Sequence, residues 1–466
     1  MGDQLVVFMG GVLAGEISRH KGQFSFKYDR DYIDSHHYPL SPVLPVSESK
    51  HKSHHIDSFV AGLVPENPNT RAEWARTFGV RDTAFDLLGE MGLDCAGAVQ
   101  FANPERVSEI TKGGSLKPLT EQDIAQRIHD LIENEDSWTM PSEHWSLPGQ
   151  QGKFALTWDG EGWCSAHGSA ATTHIFKPGI TTLKHQALVE HVTMACARHL
   201  GLAVAETDMV TFGEQVSLVT KRFDRISGGT EIERLHQVDF CQALGRMPDA
   251  KYEENGGSRP KEIAAMLRKV STSPESDVKR FSDALMFNYV VGAPDAHSKN
   301  YSLLFAGSQV RLAPLYDVAT AFPYDPKEEG MDLRTVAMSI GGRRKLGDVD
   351  LRGWKIHATE MGLFESERVE RLDAMTAQVV GAFEEVLDEV KDLPGALEVR
   401  NRLLPNLTDH VNATRTKAGL PSTTTRSPAA KNAATQQTRG KTTLSSNSQS
   451  FSPAKHDEAP GGTDAL

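Results

Sequence analysis

The sequence predicts an α+β fold of two lobes, in which β-rich segments come first and a mostly helical region follows. Alternation of apolar and polar residues, as over 23–28, predicts strands in the first half of the chain. Apolar residues spaced three and four apart predict helices over 184–200, 280–291 and 366–390. With 466 residues, 39% of them hydrophobic, the chain is too long for one compact domain.

The first strands are expected at the N-terminus. The apolar run over 5–13 is reminiscent of a signal peptide, but Asp3 precedes it without a Lys or Arg, and Gly10 and Gly11 interrupt it. A β-hairpin that turns at Gly10-Gly11 is the better interpretation. No other segment approaches the roughly 20 apolar residues of a membrane span. We therefore expect a soluble, cytoplasmic protein that does not enter membranes.

Composition excludes several function classes. The formal net charge of -12 argues against a chain that coats nucleic acid, although a local basic patch stays open. The four cysteines have neither metal-ligand spacing nor the pattern of a disulfide framework. We expect them to be small buried residues in a reducing compartment. They are Cys95, Cys164, Cys196 and Cys241.

Four parts are predicted along the chain: an N-terminal unit over 1–140, a nucleotide-binding region over 141–225, a helical region over 226–415 and a tail over 416–466. The N-terminal unit is expected to be helical over 71–93 and turn-rich from there to about residue 143. The tail is rich in Ser, Thr, Ala, Pro and Asn and cannot repay its ordering entropy, so we expect it to be disordered. Its charged residues up to Lys455 are all positive, and a solvated tail is favoured over a nucleic-acid arm.

The region 141–225 has the element order of a small nucleotide-binding lobe. Asp159-Gly160 marks a turn, Pro178-Gly179 ends a strand, and Gly201 caps a helix. The order strand, strand, helix, strand, strand lacks the βαβ crossovers of a Rossmann unit and fits the small lobe of a kinase better. These elements are predicted at 153–158, 173–177, 184–200, 207–212 and 216–222. Farther along, a hairpin over 301–313 is expected to turn at Gly307-Ser308.

The segment 295–300 provides the strongest candidate for chemistry. Phosphoryl transfer needs phosphate-binding groups, oxygen ligands for magnesium and a carboxylate near the attacking hydroxyl. Asp295 and Asn300 have the spacing of a kinase catalytic loop, in which the Asp orients or deprotonates the hydroxyl and the Asn oxygen binds a metal. The His-Arg pair that precedes this Asp in ordinary protein kinases is missing. The alternative is a polar turn that caps a helix.

Three further candidates follow the order of a kinase. Asp317 comes after the predicted hairpin, where kinases place a metal-binding Asp, although an ordinary loop Asp is the alternative. Lys177 ends a strand from which it can reach phosphates, and Glu190 on the next helix is a candidate partner or a solvated residue. The loop 146–153 has two glycines that let backbone N–H groups approach phosphate oxygens, and it lacks a Walker A pattern.

These segments resemble the HipA kinases. The resemblance covers about residues 3–415. It rests on the following blocks, in chain order: Phe85-Asp86-Leu87-Leu88, Gly97-Ala98-Val99, Ser146-x-x-Gly149-x-Gln151-x-Lys153, Thr173-His174-Ile175-Phe176-Lys177, Arg222-Phe223-Asp224-Arg225, Lys251-Tyr252-Glu253 with Gly256-Gly257, Asp295-x-His297-x-Lys299-Asn300, and Tyr316-Asp317-x-x-x-Ala321-Phe322-Pro323.

The resemblance implies a bilobed protein-kinase-like fold with an added N-terminal subdomain. It implies a toxin that uses ATP and Mg²⁺ to phosphorylate Ser or Thr in a protein, in the best-known member an aminoacyl-tRNA synthetase. Growth arrest and persistence follow from that reaction. It also implies a partner, the small helix-turn-helix antitoxin HipB, which binds both the kinase and operator DNA.

Roles are implied residue by residue. Asp295 matches the family's catalytic Asp, and Asn300 and Asp317 match its metal ligands. Ser146 matches the autophosphorylated serine, where roughly two added negative charges are expected to eject the loop and shut the enzyme off. The nucleotide contacts implied by the resemblance are Pro148, Gly149, Gln150, Gln151, Gly152, Lys153, Lys177, Lys221, Arg222, Phe223, His297, Lys299, Asn300 and Tyr316.

The sequence departs from the family in two places. Lys221 stands where a well-known member has Glu, and Gln150 stands where a small apolar residue is usual. The basic run Arg343, Arg344 and Lys345 lies near where the family touches operator DNA, and a solvated loop is the alternative there.

Two alternatives to an active protein kinase stay open. One is a catalytically silent co-repressor that acts with a helix-turn-helix antitoxin, and the other is a small-molecule kinase. The presence of Lys177, Asp295, Asn300 and Asp317 together favours the active kinase.

Overall fold

A computed structural model of the chain describes residues 3–35, 37–48, 50–140, 142–228, 231–330 and 332–422. A tail is predicted over 416–466, and its residues from 423 onward lie outside the described residues. Within them, no helix combines the length and the apolar character needed to cross a bilayer.

The N-terminal unit contains an antiparallel sheet in the order β3-β2-β1-β4. Its strands are β1 (Gln4–Met9), β2 (Val12–His20), β3 (Gln23–Tyr28) and β4 (Val99–Ala102). Its helices are α1 (Arg30–Asp34), α2 (Ser53–Ala61), α3 (Pro68–Phe78), α4 (Ala84–Met91) and α5 (Val107–Thr111). The predicted hairpin is confirmed, because Gly10 and Gly11 connect β1 to β2 with φ of 56° and 81°. Such positive φ values suit glycine and a tight hairpin turn.

A second sheet follows in the order β5-β7-β6-β8-β10-β9. Its strands are β5 (Ser115–Pro118), β6 (Phe154–Trp158), β7 (Trp163–His167), β8 (His174–Lys177), β9 (Thr207–Phe212) and β10 (Gln215–Lys221). Helices α6 (Glu121–Glu133) and α7 (Gln186–His199) pack against β9 and β10. The predicted strands over 153–158, 173–177, 207–212 and 216–222 and the helix over 184–200 are confirmed to within two residues at either end.

Two predictions for this part of the chain were wrong. The segment expected to be turn-rich contains β5 and α6, because the capping box of Thr120 and Asp123 starts a helix whose Ile124, Ile128 and Leu131 are buried. Strand β7 was missed between the first two predicted strands. The boundary at residue 140 stays a prediction, and the elements β5 and α6 that precede it pack with the second sheet.

The rest of the chain is mostly helical, as predicted, and it also contains short strands. It begins with β11 (Arg225–Gly228), β12 (Glu231–Arg234) and β13 (His236–Asp239), and β13 pairs with the confirmed hairpin of β14 (Ser302–Ala306) and β15 (Gln309–Leu312). A last pair is β16 (Thr335–Ile340) and β17 (Arg343–Lys345). The helices are α8 (Phe240–Ala243), α9 (Pro260–Val270), α10 (Pro274–Val290), α11 (Pro326–Glu329), α12 (Leu351–Glu360), α13 (Glu365–Glu389) and α14 (Ala396–Lys417).

Helix α13 organises the hydrophobic core of this half. It packs against α7 on one side and against α10, α12 and α14 on the others. Backbone pairing of Val204 with Leu315 joins the segment that precedes β9 to the segment that follows β15. All four cysteines are buried and free, as predicted. This arrangement holds the end of β8, the loop after α10 and the segment after β15 around one cleft.

Candidate active site

A cleft of about 830 Å³ lies between the second sheet and the small sheet. Of the residues proposed from the sequence for the site, Ser146 and Gly152 do not line it. The structure brings the others together as cleft-lining residues: Pro148, Gly149, Gln150, Gln151, Lys153, Lys177, Lys221, Arg222, Phe223, Asp295, His297, Lys299, Asn300, Tyr316 and Asp317.

Lys177 is the positive centre of the cleft. It ends β8, and its Nζ donates to Glu190 Oε1 of α7 at 2.8 Å and to the carboxylate of Asp317. Burial opposes each of these charges, but the two carboxylates together raise the pKa of Lys177 above its usual range. The predicted pairing of Lys177 with Glu190 is therefore present, and Glu190 is buried instead of solvated.

Asp317 has an unusual backbone conformation. Its φ is 59°, in the left-handed region that non-glycine residues rarely adopt. Such strain is typical of functional sites. The side chain is 43% exposed to the cleft. Burial opposes its ionisation, but Lys177 and then Lys153 hold the pKa of Asp317 well below its usual range, so this carboxyl carries a negative charge.

The segment 295–300 follows α10 and forms the floor of the cleft. Asn300 Nδ2 donates to the carbonyl oxygens of Asp295 at 2.9 Å and of Asp317 at 3.2 Å. The side-chain amide thereby joins two residues that are distant in sequence. Because both contacts use the amide nitrogen, they fix the direction of the Asn300 Oδ1 atom.

The carboxylate of Asp295 projects into the cleft, with 68% of the side chain exposed. Tyr252 donates a hydrogen bond of 2.5 Å to Asp295 Oδ1. Desolvation by the surrounding walls raises the pKa of Asp295, and the Tyr252 hydrogen bond opposes this change. An orientable carboxylate with a raised pKa is suited to accept a proton from a hydroxyl.

Of three other predicted nucleotide contacts, Lys299 and Tyr316 form hydrogen bonds with protein groups, whereas the buried Nδ1 of His297 has no hydrogen-bond partner among the described residues. His297 is buried, and desolvation lowers its pKa to about 3, so the ring is neutral. Lys299 Nζ donates to Asp239 Oδ2 at 2.7 Å and to Gly62 O at 3.3 Å. Tyr316 donates to the carbonyl of Lys299 at 2.6 Å. Lys299 and Tyr316 therefore brace the catalytic segment as well as lining the cleft.

The predicted hinge, residues 221–223, also lines the cleft. Lys221 Nζ lies 3.1 Å from Glu206 Oε2 in a half-exposed ion pair. Arg222 turns its guanidinium into the protein and contacts Asp94 and Asp224. The ring of Phe223 lies 5.4 Å from that of Tyr316. Because the two cationic side chains are engaged elsewhere, the hinge offers its backbone and an aromatic ring to a ligand.

The loop 146–153 is folded against the cleft. Ser146 is fully buried, and its Oγ donates to Leu63 O at 2.8 Å. Gly149 has φ of 111°, a backbone conformation that residues with a side chain rarely adopt. Lys153 Nζ donates to Pro148 O at 2.9 Å. Burial, and then the nearby Lys177, lower the pKa of Lys153 to about 8.

The donor atoms in the cleft fit magnesium better than a metal held by protein alone. Among the described residues, no three His, Cys, Asp or Glu side chains form a metal-binding cluster. Asp317 and Asn300 instead offer a carboxylate and an amide oxygen beside a space large enough for a nucleotide. Magnesium is commonly held by one or two carboxylates, water and substrate phosphates. These two residues would hold it.

Several cleft residues were not identified as functional from the sequence. Tyr252 was noticed only as part of a family block, and its contact with Asp295 was not foreseen. Glu66, Asp239 and Lys251 form ion pairs beneath segment 295–300. Glu66 comes from the N-terminal unit, more than two hundred residues before Lys299, and no local pattern in the sequence indicates its position.

The basic run is partly neutralised by acidic neighbours. Arg343 Nη1 lies 2.7 Å from Asp350 Oδ1, and Arg344 Nη2 lies 2.7 Å from Glu254 Oε2. Lys345 is exposed. Two of the three cations therefore already have partners within the chain, which is consistent with a solvated hairpin.

Comparisons with known proteins agree over most of the chain. Residues 5–102 match the model of the HipA N-terminal domain, and residues 145–387 match that of the HipA-like C-terminal domain. The protein named "Putative kinase Y4mE" of Sinorhizobium fredii is 34% identical over 84% of this chain and 93% of its own length. The serine/threonine-protein kinase toxin HipA of Shewanella oneidensis is 31% identical over 70% of this chain and 77% of its own length.

A solved structure gives the same result for the fold. HipA in the Shewanella oneidensis complex of HipA, HipB and operator DNA superposes with a TM-score of 0.75 and 27% identity. The match covers 88% of this chain and 97% of the other. It confirms the predicted α+β, protein-kinase-like fold. With both domain models matched and full-length relatives above 30% identity, the chain belongs to the HipA family.

Proposed function

We propose that this protein is a serine/threonine-protein kinase toxin that transfers the γ-phosphate of ATP to a protein. The observation that carries the proposal is the convergence of Lys177, Asp295, Asn300 and Asp317 on one cleft. These are the residue types that phosphoryl transfer requires, and they stand in the chain order of a kinase. The kinase names of the relatives support the same activity.

Each residue has a physical task in the reaction. Lys177 binds phosphate oxygens, and Glu190 keeps its ammonium group at the inner end of β8. Asp295 orients the attacking hydroxyl and accepts its proton as the new phosphoester bond forms and ADP leaves. The backbone of loop 146–153 covers the phosphates, and residues 221–223 meet the adenine. Magnesium, held by Asp317 and Asn300, supplies positive charge to the phosphates.

Autophosphorylation of Ser146 is part of this proposal. Ser146 Oγ is bound to Leu63 O and does not line the cleft that contains Asp295, so the loop must leave its buried position before the hydroxyl can react. A phosphate on Ser146 could not return, because the site is fully buried and accepts a hydroxyl donor, whereas a phosphoserine brings roughly two negative charges. The loop would then no longer cover the nucleotide, and the kinase would be inactive.

The partners follow from the relatives. The Shewanella structure contains HipB and operator DNA, and we propose a HipB-like helix-turn-helix antitoxin for this chain. Operator DNA would be bound mainly through that antitoxin, since Arg343 and Arg344 are already paired. The proposed substrate is a cytoplasmic protein, with an aminoacyl-tRNA synthetase as the first one to test. Phosphorylation of such a target would arrest growth and favour persistence.

Labelled ATP tests the proposal directly. The protein is incubated with γ-labelled ATP and Mg²⁺, and the labelled residue is located by mass spectrometry. We expect label on Ser146 in the wild type and none in Asp295→Ala. Absence of transfer to Ser146 and to every tested target, with operator binding by the antitoxin complex intact, would instead support the co-repressor alternative.

A further inference from the structure

A short segment of the N-terminal unit, residues 62–66, touches both functional loops of the cleft. On one side, Leu63 O accepts the hydrogen bond from Ser146 Oγ at 2.8 Å, and Glu66 N donates to Gly149 O at 2.8 Å. On the other side, Gly62 O accepts a hydrogen bond from Lys299 Nζ at 3.3 Å. The segment therefore lies between the phosphate loop 146–153 and the catalytic segment 295–300.

Glu66 makes contacts in both directions. Its backbone pairs with Gly149, and its carboxylate Oε2 accepts from Lys251 Nζ at 2.8 Å. Its Oε1 lies 3.8 Å from Lys299 Nζ. All three side chains are at most 9% exposed, so little water screens the charges. Burial opposes ionisation of Glu66, but Lys299 and Lys251 lower its pKa, which keeps the carboxylate charged.

The two lysines reach the catalytic segment directly. Lys299 belongs to that segment and lies next to Asn300. Lys251 supports it through its backbone, because its carbonyl accepts from Ser298 Oγ at 3.0 Å. A change at the Glu66 carboxylate would therefore alter the contacts of Lys251 and Lys299. Both lysines contact or belong to the segment that contains Asp295 and Asn300.

We propose that Glu66 is a positioning residue of the active site, which sets the spacing between the phosphate loop and the catalytic segment. This inference rests on the proposed kinase function, because the spacing matters only if a phosphate is transferred between the two. The N-terminal unit thereby contributes a residue that positions the catalytic groups of the cleft. Displacement of a reacting group by about 1 Å is enough to lower rates by two orders of magnitude.

The variant Glu66→Gln tests the proposal. It keeps the backbone bond to Gly149 and the side-chain shape, and it removes the charge that holds Lys251 and Lys299. We expect kcat for phosphate transfer to fall about 10- to 100-fold, as for other residues that orient catalytic groups, while KM for ATP changes less than about threefold. Glu48→Gln, an exposed glutamate of the same unit, is the matched control and should leave both constants unchanged.

A double-mutant cycle separates positioning from general damage. If Glu66 acts through Lys251, the effects of the two substitutions should not multiply. The kcat of the double variant Glu66→Gln/Lys251→Met should then be at most about threefold lower than that of the slower single variant. Losses that multiply would overturn the proposal, as would a Glu66→Gln protein that has a lower melting temperature but full kcat. If Glu66→Gln does not fold, Glu66→Asp takes its place and should show a smaller fall in kcat.

Amide hydrogen exchange tests the positioning role of Glu66 separately from the proposed kinase activity. In Glu66→Gln, amides of 146–153 and 295–300 should exchange at least about fivefold faster, with the helices of the core unchanged. If the wild type transfers no phosphate but exchange rises in both loops, the proposed function fails and the connection by Glu66 stands. If exchange is unaltered in both loops, Glu66 does not position them, whatever the activity.

Discussion

The ammonium group of Lys177 contacts the carboxylate of Asp317, although 140 residues separate the two in the chain. The same ammonium lies 2.8 Å from Glu190 Oε1. One ammonium group thus contacts two carboxylates from different parts of the chain, within a largely buried site. The contact ties the end of β8 to the segment that follows β15.

Removal of Lys177 should destabilise the fold through the charges it leaves behind. We expect Lys177→Met to lower the free energy of unfolding by about 3–5 kcal/mol, because Glu190 and Asp317 would then lose the ammonium group that both contact. Adding Glu190→Gln to the same chain should restore part of the loss. Urea unfolding of the two variants measures this, with the exposed Lys261→Met as control. A double variant as unstable as the sum of its singles would contradict the coupling.

Charge at Ser146 should weaken nucleotide binding. Its hydroxyl donates to Leu63 O from a fully buried position, and an aspartate there can neither donate nor remain buried without cost. We expect Ser146→Asp to lower ATP affinity at least about tenfold, whereas Ser146→Ala, which removes the donor to the buried Leu63 O, should lose about 1–3 kcal/mol of stability. Calorimetric titration with ATP checks the first value. Ser142→Asp carries the same charge on an exposed residue and should bind ATP normally.

The N-terminal unit and the hinge are joined by a buried ionic network centred on Asp94. Its carboxylate contacts Arg222 at 3.3 Å, Arg225 at 2.9 Å and Arg234 at 3.0 Å. Removing this charge leaves the buried guanidinium groups of Arg222 and Arg225 with one shared carboxylate, that of Asp224. We expect Asp94→Asn to lower the free energy of unfolding by about 3–5 kcal/mol, as measured in urea. The exposed Asp249→Asn should change it by less than about 0.5 kcal/mol.

Buried histidines should make the fold sensitive to acid. Desolvation lowers the pKa of His357 from 6.5 to about 4. Between these values the unfolded chain binds more protons than the folded one, so stability falls as pH decreases from 6.5 towards 4. This residue contributes at most about 1.4 kcal/mol per pH unit. Unfolding measured at pH 7 and pH 5 should show a smaller difference for His357→Leu than for the wild type. An equal difference would mean that His357 does not titrate in this way.

Much of the architecture could be predicted because its signals are local. The hairpin at Gly10-Gly11, strand β8 and helix α7 follow from turn residues and from apolar spacing within a few residues. Helix α6 was missed because its charged composition hides three buried apolar positions. The strands β11 to β13 are short and gain their stability from pairing with each other or with the distant hairpin. Sequence patterns within one segment carry little information about such pairing.

The residues of the site also divide into those that sequence patterns predict and those that depend on contacts between distant segments. Asp295, Asn300, Asp317 and Lys177 could be predicted because their spacing and chain order are those of a kinase. The partners that orient them could not, since Tyr252 and Glu66 approach from other parts of the chain and each looks ordinary in its own segment. Their contribution depends on distances of 2.5–2.8 Å that only the folded chain creates.

The proposed phosphate transfer depends most on Asp295, the group that accepts the hydroxyl proton. The most direct measurement is the rate of γ-phosphate transfer from ATP by the wild type and by Asp295→Asn, at concentrations where calorimetry shows both proteins saturated with Mg²⁺ and ATP. We predict that Asp295→Asn binds nucleotide within about threefold of the wild type and transfers phosphate 10²- to 10⁴-fold more slowly, the range expected for loss of a general base. Equal transfer rates in the two proteins would contradict the assignment of this cleft as a kinase active site built around Asp295.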